Sequence, residues 1–379
     1  MSTSDAIRLF DVGASQAQGS RRFQEDRYTT IVPEHFPAST NENLAFFAVY
    51  DGHGSGEVAD HASKNLHNLL AQRSELPRGE YAIAIKAALA DEDALLLEKF
   101  KFESVEPAVS GSTVALCLIN LTEGELVVSN LGDSHVIMAE RDSTTGAPFH
   151  IRRLTEAHKP DTPTESARIK EAGGIVERRN GVSRLGKSQL WTLNGAGTGP
   201  WDGGDGYGGA RGASWRVGGD ARERALPGRQ RESFRWSSCR RRNYTHLGNS
   251  MWPGSLNMSR ALGDLQYKNP VNTVGEEYTT TPVRRASSSS TSMRGNLVSN
   301  EPYTSRRILH AHHRYLLVIV SDGVSDYIDD TVLIQYVMEL SLQGMRATDI
   351  AHEVVHRMAG RPRSDNASCV IVMLNGQQS

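Results

Sequence analysis

The sequence predicts an α+β fold in which sheets are faced by helices. Strand-like segments outnumber helical ones, and the helical patterns cluster between blocks of strands. Apolar strand runs also end repeatedly in acid. "FFAVYDGHGSG" (46–56) stops in Asp51-Gly52-His53-Gly54, "LVVSNLGDS" (126–134) reaches Asp133, and "YLLVIVSDGVSD" (315–326) reaches Asp322-Gly323 with Asp326 close behind. One Asp-Gly junction alone is an ordinary turn. Repetition suggests carboxylates gathered at one rim of a sheet.

The elements follow in order. Apolar or alternating runs predict strands at 44–50, 112–119, 125–130, 134–140 and 149–154. Helices are expected at about 56–72 and 80–100; in the first, Val58, Ala62, Leu66, Leu69 and Leu70 share a face. Thr162 and Glu165 have capping-box spacing around Pro163, and Gly173-Gly174 stops the helix they begin. Residues 331–343 and 347–359 read as helices, the second ending at Gly360, and 368–374 as the last strand. The whole of 7–375 is expected to form one domain.

Two stretches break this pattern. Residues 187–254 hold all five tryptophans, many glycines and the basic run "CRRRNY", with no strand or helix period. A disordered insertion is the simplest reading. A regulatory or nucleic-acid-contacting loop, or intron sequence read as protein, are alternatives. The Ser-rich "TTTPVRRASSSSTSMRG" (279–295) reads as a flexible loop, and Arg284-Arg285 before Ser287 resembles a target of basic-directed kinases. "HAHHR" (310–314) reads as a surface histidine cluster that needs no metal.

Bulk composition excludes several classes. The 379-residue chain has a formal net charge of −2, which gives no general basic excess for nucleic acid. Cys117, Cys239 and Cys369 lie far apart, so neither a disulfide framework nor a zinc-thiolate site is expected. Cys117 lies within an apolar strand and reads as core. No apolar run approaches the roughly 18 residues of a membrane span. The first residues lack the apolar core of a secretory signal. A cytoplasmic monomer is expected, with mitochondrial and nuclear locations as alternatives.

Five carboxylate positions remain: Glu25-Asp26 in "GSRRFQEDRY", Asp51, Asp133, Asp322 with Asp326, and Asp365 in "RSDNAS". Carboxylates with a backbone carbonyl and no thiolate suit a hard cation, Mg²⁺ or Mn²⁺. Gly52, without a side chain, lets its carbonyl approach such an ion.

The ordered blocks "RRFQEDR", "VYDGHGSGEVA", "SGSTVALCLI", "NLGDSHVIM", "LTEAHKPDTPTESARIKEAGGIV", "LNMSRALGDLQYK", "VSDGVSD" and "SDNASCVIVML" resemble the metal-dependent type 2C Ser/Thr protein phosphatases, in phrasing most of all the fungal ones. The resemblance covers most of 10–186 and 255–375. It implies a four-layer α-β-β-α sandwich with two central antiparallel sheets, and hydrolysis of phosphoserine and phosphothreonine in proteins by a water that two Mg²⁺ or Mn²⁺ ions activate. It implies that Asp51 bridges the metals, that Glu25 and the Gly52 carbonyl complete one, and that Asp322 and Asp365 complete the other. By the same resemblance Asp26 holds a water from behind, Asp133 and Asp326 with Asp322 form a weaker third site, Arg21 grips the substrate phosphate, and His53 is the general acid. Arg22 is an alternative to Arg21, and a helix-capping role is the alternative for His53.

The sequence also departs from the family. His135 stands where arginine usually follows "GDS", Ser325 stands where tryptophan is usual, and 187–254 interrupts two normally adjacent blocks. A competing expectation is therefore a catalytically inactive member of the fold acting as a binding partner.

Overall fold

The computed structural model describes residues 6–186, apart from 39, 105 and 146–147, together with 256–268 and 295–376. The segment 187–254 and, but for Gly295, the stretch 279–295 lie outside the described residues.

The strands are β1 (Ile7–Ala17), β2 (Arg27–Ile31), β3 (Leu44–Tyr50), β4 (Gly52–His53), β5 (Gly111–Ser112), β6 (Val114–Asn120), β7 (Glu125–Leu131), β8 (His135–Asp142), β9 (His150–Arg153), β10 (Ile175–Arg179), β11 (Val182–Gly186), β12 (Leu262–Gly263), β13 (Tyr303–Ile308), β14 (His313–Val320) and β15 (Ala367–Gly376). The helices are α1 (Glu57–Ala71), α2 (Tyr81–Phe102), α3 (Glu106–Val109), α4 (Pro163–Glu171), α5 (Asp322–Ser325), α6 (Asp330–Leu342) and α7 (Ala347–Ala359).

Two five-stranded sheets dominate, ordered β1-β15-β14-β8-β9 and β13-β7-β6-β3-β2. Every pairing within them is antiparallel. The layering follows from the period-two alternation of strand side chains. In β3, Ala45, Phe47 and Val49 point into a core shared with Leu317, Ile319, Val370 and Val372 of the other sheet. Phe46, Ala48 and Tyr50 point the other way, against Val58, Leu66, Leu70, Ile85 and Leu89 of α1 and α2. On the far side, Val318, Val320 and Ile371 meet Ile334, Val337, Val354 and Val355 of α6 and α7. The result is a four-layer α-β-β-α sandwich. Strands buried on both faces read as continuous apolar runs.

Antiparallel registry then fixes where the acids go. Arg27 opposes Tyr50, so the start of β2 and the end of β3 share an edge. Val114 opposes Leu131, which puts the end of β7 there as well. In the other sheet Val320 opposes both His135 and Cys369. Glu25-Asp26, Asp51, Asp133, Asp322 and Asp365 thus all fall at one rim of the sandwich.

Several local expectations needed correction. The strand expected at 112–119 is broken at Thr113, whose backbone N–H donates to the Asp51 carbonyl at 2.9 Å while its hydroxyl accepts from the Asp51 N–H at 3.2 Å. The capping box at Thr162 does not form. Thr162 precedes α4 but caps no N–H; its hydroxyl donates to the Lys159 carbonyl at 3.0 Å. Glu165 is drawn away by Arg168, Arg260 and Ser259. β1 was not expected at all, because its alternation slips at a bulge between Leu9 and Asp11. There Asp11 turns out to accept from Arg346 at 2.9 Å through each carboxylate oxygen.

Candidate active site and metal centre

Each rim carboxylate is held by its own element. Asp51 follows β3, and Gly52 begins β4 by pairing with Ser112 of β5. A side chain at Gly52 would strike the Glu25 carbonyl oxygen, so glycine allows the Glu25-Asp26 loop to press against the end of β3. That loop is fastened by Asn366, whose Oδ1 accepts from the Glu25 N–H at 2.8 Å and whose Nδ2 donates to the Gln18 and Phe23 carbonyls at 2.8 and 2.9 Å. Asp26 is buried and accepts from the Ser321 hydroxyl at 2.8 Å. Asp322 opens α5, and a Cβ at Gly323 would overlap the Asn366 carbonyl, so this turn lies directly on the Asp365-Asn366 loop.

The electrostatics are those of acids crowded without sufficient counter-charge. Asp51 is pushed well above the ordinary carboxylate range by desolvation, then by the charges of Asp322, Asp26 and Asp133. Burial, then Asp133, Asp326 and Asp365, lift Asp322 to about 7. Burial also lifts Asp26 to about 6 against the pull of Ser321, and it raises Asp326 and Glu25. By surface area Asp51 and Asp322 keep some solvent contact, so the group lines a floor open to an incoming ligand. Asp26 Oδ1 and Asp133 Oδ1 are buried without a hydrogen-bond partner.

Basic groups border the acids. Arg21 is exposed and ion-paired to Asp365, whereas Arg22 stacks on Phe23 at 5.3 Å; the geometry favours Arg21 as the group facing the site. Lys159 is ion-paired to Asp133 and faces Asp322 and Asp326. His53 caps no helix. It lies in β4, with Nε2 2.7 Å from Asp264 Oδ2 and with Nδ1 buried and unpartnered. Burial opposes a charge on His53, but the Asp264 carboxylate outweighs it and raises the imidazole above its ordinary value.

A family model for protein phosphatase 2C matches residues 10–190 and 240–367. The chain belongs to the protein phosphatase 2C family. It is 33% identical over 186 residues to protein phosphatase 2C homolog 2 of Aspergillus flavus, covering 46% of this chain and 40% of that protein. It is 34% identical over 171 residues to protein phosphatase 1F of Rattus norvegicus, covering 45% and 35%. The chain thus spans well under two thirds of the length of these curated relatives. The crystal structure of a serine-threonine phosphatase 2C from Toxoplasma gondii superposes with a TM-score of 0.65 at 17% identity, covering 97% of this chain and 95% of that one. That likeness speaks to the fold alone.

The residues of this phosphatase 2C chain suit a hard dication. The donors are oxygen, two buried carboxylate oxygens lack partners, and the group carries the mutual repulsion that bound dications remove. Among the described residues no three Asp, Glu, His or Cys side chains close into a cage around one ion. Mg²⁺ needs no such cage, because it keeps several waters and takes only one or two carboxylates. The Asp133 position suits a cation less well, since Lys159 already supplies positive charge there.

Sequence reasoning missed Asp264 and Lys159. Asp264 sits at φ 48, in the left-handed region, directly after β12. β12 and β4 flank β5, and at Gly111 a Cβ would lie 2.7 Å from both Asp264 Cγ and His53 Nε2. Only glycine leaves room for the pair. The signal was present in "SRALGD" and "AHKPD", but nothing local marks either residue as a partner of one more than a hundred positions away or across the sheet. His135, where the family usually has arginine, is buried against Thr155 and lies 2.9 Å from Arg153. Burial and Arg153 lower it to about 4.

Proposed function

We propose that this chain hydrolyses phosphoserine and phosphothreonine esters in proteins with the help of Mg²⁺ or Mn²⁺. The observation that carries this reading is the convergence of Asp51, Asp322 and Asp26 on one open rim, beside Arg21 and the His53–Asp264 pair. Asp51, Glu25 and the Gly52 carbonyl would hold one ion, and Asp51, Asp322 and Asp365 a second, with one or two carboxylates of each set binding directly and the rest through the ion's waters. When bound, such ions lower the pKa of water and offset charge on the phosphoryl group.

The chain's own residues supply the rest. Arg21, on an exposed loop beside Asp365, would present paired donors to phosphoryl oxygens. Asp26, locked by Ser321, accepts a hydrogen bond from a water on the site floor. Asp264 lies 2.7 Å from His53 Nε2, fixes the ring and favours its protonated form, which a general acid for the departing seryl or threonyl oxygen requires. No nucleophilic cysteine is required. Cys117 and Cys369 are buried, and burial raises both thiols.

The test is hydrolysis of p-nitrophenyl phosphate and of a phosphothreonine peptide with Mn²⁺, Mg²⁺ or EDTA, beside Asp51→Ala. Turnover that needs the metal and Asp51 is the expected result. A folded chain with no turnover under any of these conditions would sink the proposal and leave a binding-partner role.

A further inference from the structure

The opposite rim of the sandwich carries the reverse charge. β14 runs from His313 to Val320, just short of Asp322, so its two ends are roughly 23 Å apart at about 3.3 Å per residue. Beside the His313 end, a cavity of about 340 Å³ is lined by Arg152, Arg306, Arg307, His310, His313 and a single acid, Glu140.

The acids nearby do not balance these cations. Arg306 is taken by Glu125, which lies 2.5 Å from its Nε and 2.7 Å from its Nη2. Glu140 is taken by Arg152 at 2.5 Å. Arg307 has no hydrogen-bonded or ion-paired partner among the described residues, although it is only half-exposed. Its Nε, the Nε of Arg152 and the Nδ1 of His313 are all buried and unpartnered. Burial and the facing charge of Arg152 hold Arg307 below the usual arginine range. A half-buried guanidinium set against a like charge is costly unless something compensates it. A metal cation among His310 and His313 would meet three guanidinium groups. An oxyanion would meet the unpaired guanidinium of Arg307, the N–H groups of Arg152 that Glu140 does not take, and imidazole nitrogens beside them.

We propose that this cavity is a second anion site, in which Arg307 and Arg152 hold a phosphate group away from the catalytic rim. The phosphate is either free or carried on a protein. The inference does not depend on the catalytic reading.

The test is equilibrium binding of inorganic phosphate by the full chain carrying Arg21→Ala, in EDTA, which silences the catalytic rim. One bound phosphate per chain is expected, weakened about tenfold or more by adding Arg307→Gln, as loss of a charge-assisted pair requires. Arg307→Lys should fall between, because it keeps the charge and loses the fork. Phosphate should raise the thermal midpoint of the Arg21→Ala chain, and the double variant should need about ten times more phosphate for the same shift. A phosphothreonine peptide that binds and is displaced by phosphate assigns the source to protein; phosphate binding without peptide binding assigns it to the free anion. Binding that survives Arg307→Gln unchanged, or an Arg21→Ala chain that binds no phosphate, overturns the site.

Discussion

Two desolvated acids in this molecule behave in opposite ways. Glu165, in α4, is almost wholly enclosed, yet it is held down to about 2. Burial alone would raise it, but Arg260, Ser259 and Arg168 each donate to it, with Arg260 Nη2 at 2.5 Å and Ser259 Oγ at 2.7 Å. Asp322, at the acidic rim, is lifted to about 7, because desolvation is joined there by other carboxylates. Desolvation pushes both the same way, so the counter-charge decides the sign. One acid is completed by the fold and the other awaits completion from outside.

The strongest test removes an acid from each group. Asp51→Asn should reduce turnover at least about a thousandfold, the loss expected when several kcal/mol of charge stabilisation disappear. It should not destabilise the chain in EDTA, since it relieves repulsion from Asp322, Asp26 and Asp133. Glu165→Gln should do the reverse. Stripping the acid from two arginines costs about 4 kcal/mol of stability, read by urea unfolding, while turnover at low temperature changes little. Because Glu165 is depressed in the folded state, its contribution is present above its ordinary value of 4.5 and is lost as pH falls toward 2. Asp51→Asn and Glu165→Gln shifting stability in the same direction would break the comparison.

His158 extends it to a base. Burial, then Arg260, holds it to about 4, and its Nδ1 accepts from the Gly132 N–H at 3.1 Å, which requires a lone pair there. The unfolded chain binds this proton near 6.5 and the folded chain near 4. Between those values the unfolded state holds more protons, so stability should fall by about 3 kcal/mol as pH drops through the window. His158→Asn, which keeps an acceptor, should flatten that part of the profile. An unchanged slope would show that His158 is charged in the folded chain.

Much of this was legible in the sequence for a physical reason. β3 and β14 are buried on both faces, so they appear as unbroken apolar runs, and the acids that end them stand out by contrast. What stayed hidden depends on pairing across long separations. Asp264 looks like any residue after a Gly turn until β12, β5 and β4 line up and Gly111 leaves space for His53. Glu165 had the spacing of a helix cap, but tertiary ion pairs with Arg260 outcompeted a local bond to one N–H. β10 and β13 carry too many charged residues to register as strands.

Asp264 gives the next, smaller effect. Asp264→Asn keeps the shape but withdraws the charge that orients His53. Turnover of a phosphothreonine peptide should fall about tenfold to a hundredfold, within the range of general acid catalysis. p-Nitrophenyl phosphate should be affected much less, because nitrophenolate leaves without a proton. Equal losses on both substrates would mean that Asp264 supports the site only structurally.

The smallest effect separates an oxygen that caps a helix from one that only appears to. Asp329 precedes α6, and its Oδ1 accepts from the Thr331 N–H at 2.9 Å. Thr162 stands at the same position before α4, but its hydroxyl caps no N–H there. Asp329→Ala should cost about 1 kcal/mol, the usual value of a lost cap, and the charge lost near the helix N-terminus adds to it. Thr162→Ala should cost about half as much or less, since it removes one half-exposed bond to the Lys159 carbonyl. Urea unfolding of the two variants side by side resolves the difference. Equal costs would mean that Thr162 swings round to cap α4 in solution, and that the pull of Arg260 on Glu165 is not what empties the capping box.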